Sequence, residues 1–189
     1  MSTRRTIQLF IAISISVLFS SCSNQKAEYE EVQTILNATD QTIQQTSDYD
    51  IKIKTCDDAI NALNKFVTMH KEGEWVNIAK NSLAAWESKK SSFQQELESL
   101  YGNLSMKLRQ KAIDGSKNIH PLSNIEIINR DNMSTIKDGY NIRVTENYSV
   151  RMRGSMLGAS IFKLNVRTSG RIAMDTKVVL ADDGVTVQE

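Results

Sequence analysis

Residues 140–153 read YNIRVTENYSVRMR. Apolar side chains stand at Tyr140, Ile142, Val144, Tyr148, Val150 and Met152. Asn141, Arg143, Thr145, Asn147, Ser149, Arg151 and Arg153 lie between them. Successive side chains of a strand point to opposite faces, so this alternation predicts an antiparallel strand with one buried face. After Gly154 and Gly158 the same phase returns in Phe162, Leu164, Val166, Ile172, Met174, Val178 and Leu180. Asp182-Asp183-Gly184 is a hairpin signal ahead of Val185 and Val187. The expectation is a small meander of three or four strands within residues 116–189. A sheet that small needs a cover on its apolar face.

Upstream of residue 116 the period changes. Ala79, Leu83, Trp86, Lys90, Phe93, Leu97, Leu100, Leu104 and Leu108 alternate steps of four and three, a heptad-like seam. Gly102 interrupts it and Gly115 is placed to close it. Tyr29, Val32, Leu36 and Ile43 predict an earlier helix over 28–46. Ser47 and Asp50 resemble a capping box that opens a second helix, which runs to about Lys71 before Gly73. Between helices and sheet, His120-Pro121 breaks the chain, residues 124–129 form a short strand, and 131–139 read as a turn or loop. The fold class is therefore α+β: a helical hairpin or coiled-coil-like arm over 29–115, then the β-meander. The stretch 59–87 resembles one tetratricopeptide-type hairpin, with Ala59, Leu63, Phe66, Ala79, Leu83 and Trp86 at helix–helix positions. No repeat at a fixed period accompanies it.

The N-terminus is of another kind. Arg4 and Arg5 precede an uncharged apolar run, Ile7 to Phe19, which is followed by Ser20, Ser21 and Cys22. The run falls short of the ~20 residues that span a bilayer. It has the layout of a secretory signal over 1–21. Leu18-Phe19-Ser20-Ser21-Cys22 resembles the lipobox of bacterial lipoproteins. That resemblance implies lipidation of Cys22 with several acyl chains such as palmitate, and a polar tether over 22–28. Ser23 in place of Asp implies the outer membrane, facing the periplasm.

Cleavage before Cys22 would leave Cys56 as the one remaining thiol, a small buried hydrophobe by preference. The charge is divided unevenly. Residues 22–100 hold 8 Lys/Arg and 13 Asp/Glu, and residues 101–189 hold 13 and 9. Arg143, Arg151, Arg153, Lys163, Arg167, Arg171 and Lys177 fall at odd positions of the predicted sheet, opposed by Asp175. Such a face can meet anionic lipid headgroups or an acidic partner. It can equally be a solvated face that keeps edges apart. No aromatic residues interleave it, which argues against nucleic acid.

The two histidines, His70 and His120, lie far apart, and no metal-ligand spacing, nucleophile elbow or phosphate loop occurs. The sequence thus nominates no catalytic residue, no metal site and no cofactor. It predicts a non-enzymatic, lipid-anchored envelope protein that is an interaction or structural module, with a membrane and an envelope protein or anionic lipid as partners. The alternative is a periplasmic carrier or sensor that holds an apolar ligand between sheet and helix. The two differ in what covers the even face of the strands.

Overall fold

The structure is a computed structural model. It describes the backbone of residues 3–119, 123–153 and 160–188, and the side chains of 24–119, 123–153 and 162–188. The expected break at His120-Pro121, and Gly154 and Gly158, lie outside those residues. Three helices come first: α1 (Thr3–Gln45), α2 (Tyr49–Met69) and α3 (Glu74–Ile119). An antiparallel sheet follows: β1 (Asn124–Asp138), β2 (Asn141–Arg153), β3 (Ser160–Ala173), β4 (Val178–Leu180) and β5 (Val185–Gln188). The class is α+β, as expected. Among the described residues no helix is long and apolar enough to cross a membrane.

The chain divides into two compact units, Met1–Thr46 with Asp50–Phe93 and Ser47–Tyr49 with Gln94–Glu189. The division falls inside α3 rather than at the junction of helices and strands. Its cause is the long apolar stripe, whose two halves serve different cores.

The helical unit has an apolar core of Tyr29, Val32, Leu36, Cys56, Ala59, Leu63, Phe66, Val76, Ala79 and Trp86. The Tyr29 ring lies 5.4 Å from Phe66 and 5.5 Å from Trp75. Rings at such spacing add to the free energy of area burial. His70 follows α2, with Nε2 2.6 Å from Glu28 Oε2. The expected tether is helical instead: residues 24–28 continue α1, and the buried Gln25 amide donates to the Glu72 carbonyl at 3.1 Å. Burial pushes the Cys56 thiol above its usual range, so this cysteine is a packing group.

In the other unit the second half of α3 covers the sheet. Ala112 joins Tyr148, Val150, Met152, Leu164 and Val166 in one cluster, and Leu104 and Leu108 are fully buried. Gly115 does not end α3. A Cβ there would lie 2.6 Å from Val185 Cγ1, so the glycine lets the helix approach β5.

Strand β1 runs to Asp138, well past the expected end at residue 129, because two bulges hide its period. The register with β2 slips between Ile127 and Asn129 and again between Arg130 and Asn132. Each extra residue reverses which parity faces the helix. Arg130 thus stands opposite Tyr148, Met133 opposite Glu146, and Thr135 opposite Val144.

Asp182-Asp183-Gly184 makes no hairpin. β4 and β5 both run antiparallel to β3 along one edge, with Arg171 opposite Leu180 and Thr168 opposite Val185. The three residues bulge between two collinear segments, with Gly184 at φ +108°. Phe162, expected on the covered face, is 46% exposed.

Candidate functional site

The expected basic face is largely self-neutralised. Arg143 lies opposite Arg171, and Arg151 opposite Lys163, across the β2–β3 ladder. Like charges in such pairs repel. Carboxylates from the sheet's edges relieve this. Asp183 sits 3.2 Å from both Arg143 Nε and Arg171 Nε, and Asp182 lies 3.7 Å from Arg171. Glu126 reaches Arg153 at 3.4 Å and Arg151 at 3.9 Å. Arg171 Nε lacks a hydrogen bond to Asp183 despite the distance, so the contact is charge attraction without alignment. Lys163 and Arg167 make no ion pair with the described residues. Lys177 is not on this face. It occupies the β3–β4 turn at φ +55°, and its ammonium donates to Glu96 Oε2 of α3 at 2.6 Å. Tyr49 donates to the same oxygen at 2.8 Å. The side chain of Cys22 lies outside the described residues, while its backbone is part of α1.

The opposite face carries a group that alternation alone passes over. Glu146 takes an even position in β2, between Val144 and Tyr148, and its side chain is 1% exposed. An ionised carboxylate at such a place must be paired and hydrogen-bonded. Ser105 Oγ of α3 lies 3.0 and 3.2 Å from its two oxygens. Arg130 Nη1 donates to Oε1 at 3.2 Å, and the Tyr148 hydroxyl donates to Oε2. Burial, and secondly the bond to Glu146, push the Tyr148 hydroxyl well above the usual tyrosine range. It therefore remains a donor at any physiological pH.

Beside this cluster a cleft of about 610 Å³ opens between α3, β1 and β2. Its walls are Tyr101, Gly102, Ser105, Met106 and Arg109 of α3, Arg130, Met133 and Thr135 of β1, and Val144 and Glu146 of β2. Met106 is 66% exposed and Met133 48%. Flexible, polarisable methionines on both sides suit an adaptable apolar contact. The volume falls within the ~300–1,000 Å³ typical of small-molecule sites.

The sequence reading missed Glu146, Ser105, Arg109, Arg130 and Met133. One signal was legible: an acid at an even position of an otherwise apolar alternation. Among the described residues no group of His, Cys, Asp and Glu could hold a metal ion. No protein family, curated protein or solved structure matches the chain.

Proposed function

We propose that this chain is a lipid-anchored bacterial envelope protein that works by binding, and that its sheet-containing unit is a carrier or sensor module for a small apolar ligand. The observation that supports the binding role is the open, largely apolar cleft between α3 and the β1–β2 ladder, with one satisfied polar cluster on its wall. Concave apolar walls with a few fixed polar groups are the usual make-up of a ligand site. The anchor rests on the lipobox-like residues 18–22 and the charge and hydropathy of the leader. Gln25, three residues beyond Cys22, is buried in the helical unit, so lipid on Cys22 would hold that unit at the bilayer surface.

Two experiments test this. For the site, the uncharged apolar fluorophore N-phenyl-1-naphthylamine is titrated into the full chain and into Gly102→Leu, which adds a side chain to the cleft wall. Saturable binding to the first and its loss in the second are expected. Binding unchanged by Gly102→Leu refutes the cleft as the site. For the anchor, mass spectrometry of the mature N-terminus should find an acylated Cys22; an unmodified Cys22 removes the anchor.

A second reading keeps the outer face as a contact for an acidic partner or anionic lipid. Lys163 and Arg167 favour it, because no described carboxylate neutralises them.

A further inference from the structure

We infer that the cleft takes an anionic amphiphile: one apolar chain lying between Met106, Met133 and Tyr101, with a single acidic head at Arg109 and Arg130. This deepens the carrier reading and rests on it.

The charge of the cleft decides the head. Its ionisable lining is Arg109, Arg130 and Glu146, two cations and one anion. Glu146 is unavailable to a ligand. Three donors converge on it: the single Ser105 hydroxyl, which lies within reach of both oxygens, Arg130 Nη1 on Oε1 and the Tyr148 hydroxyl on Oε2; and the group is buried. A carboxylate accepts at about four lone-pair positions; three donors already converge here, and burial keeps what is left from a ligand. Its role is to position Arg130. One guanidinium nitrogen, Nη1, is held on Glu146, with Ser105 Oγ 3.4 Å away. The other nitrogens of Arg130 make no hydrogen bond with the described residues. Arg130 is half-exposed, so those donors are accessible. A guanidinium has five N–H donors in a fixed fork, which suits a planar carboxylate or a phosphate. Arg109 stands one turn beyond Ser105 on the same helix face, exposed, with no ion pair to any described residue. One engaged and one unengaged arginine leave the site with net positive charge. A cationic head would meet repulsion there, and a neutral one would leave Arg109 unmatched.

Gly102 is a second, independent pointer. It sits within α3, where glycine is about 1 kcal/mol worse than alanine. No described atom lies within 4 Å of where its Cβ would stand, so no close packing demands it. What the missing side chain leaves open is the cleft wall.

The test is calorimetric titration of the full chain carrying Cys22→Ala, which prevents acylation. The probes are dodecanoate, dodecyl phosphate and dodecyltrimethylammonium, which share one chain and differ in head. Either anionic probe should bind at least about tenfold tighter than the cationic one, a difference of about 1.4 kcal/mol. A preference for dodecanoate would indicate a fatty-acid-like ligand, and one for dodecyl phosphate a phospholipid-like head. Arg109→Glu should remove the preference, and an unchanged denaturation midpoint shows that the variant is folded. Equal or tighter binding of the cationic probe overturns the inference, as does an anionic preference that survives Arg109→Glu. If N-phenyl-1-naphthylamine enters the cleft and no head preference exists, the inference alone falls. If the fluorophore does not bind either, the carrier reading falls with it.

Discussion

The two faces of the sheet carry charge in opposite ways. The outer face holds six cations, Arg143, Arg151, Arg153, Lys163, Arg167 and Arg171, and four of them lie against acids of the same unit. The helix-facing side holds one acid, and three side chains from a helix and two strands converge on it. Exposed ion pairs are worth ~0–1 kcal/mol each, because water solvates the separated partners almost as well. A buried carboxylate has no such alternative, so removing it leaves its donors stranded. The number of charges on a face is therefore a poor guide to where a site lies; the burial of one charge is a better one.

Breaking the inner cluster should have the largest effect. Glu146→Ala strands the Tyr148 hydroxyl and frees Arg130, and chemical denaturation should record a loss of about 3 kcal/mol, softened by the exposure of Arg130. A loss under about 1 kcal/mol would place Glu146 on a par with the outer face.

Tyr148→Phe removes one donor and should cost about 1–2 kcal/mol at neutral pH. It also has a signature in pH. The folded state holds the Tyr148 proton more tightly than the unfolded chain, whose tyrosine titrates near 10.0. That stabilisation is complete below pH 10 and is lost as pH rises from there through the raised folded value. Tyr49 is shifted the same way by burial and Glu96. Denaturation midpoints should hence fall less steeply above pH 10 in Tyr148→Phe than in the parent. Parallel alkaline limbs would disprove the linkage.

On the outer face, Asp183→Ala leaves Arg143 and Arg171 opposed without their shared acid. Both arginines are more than a third exposed, so the expected loss is only about 1 kcal/mol, shrinking in 1 M salt. A salt-independent loss as large as that of Glu146→Ala would erase the contrast between the faces. The smallest change has the opposite sign. Gly102→Ala should raise stability by about 0.5–1 kcal/mol, since the helix gains propensity and meets no clash.

The sequence made the α+β class legible because both periods are strong: steps of three and four through Leu108, and steps of two from Ile142 to Met152. It failed where geometry interrupts period. Residues 131–138 look irregular because two bulges each reverse the parity of β1, and those same bulges bring Arg130 and Met133 to the helix side. Gly115 looks like a terminator, but its role is close approach to Val185. Asp182-Asp183-Gly184 has hairpin composition, yet the strand that pairs on both sides of it is β3. Six of the seven basic residues lie in β2 and β3, and Lys177 lies in the turn that follows β3. Their acids could not be assigned, because Glu126 and Asp183 come from outside the alternating stretch. The cleft was invisible for a related reason: its members span residues 101–146 on three elements, and no spacing links them.

One comparison bears most directly on the account: titration of dodecanoate into the full Cys22→Ala chain and into two further variants on that background. Gly102→Leu fills the inner cleft. Lys163→Glu with Arg167→Glu reverses the two outer cations that no described carboxylate pairs, so it breaks no ion pair among the described residues. The account predicts at least about tenfold weaker binding in Gly102→Leu and unchanged binding in the outer-face variant. Loss of binding in the outer-face variant, with Gly102→Leu unaffected, would contradict it and move the site to the opposite side of the sheet.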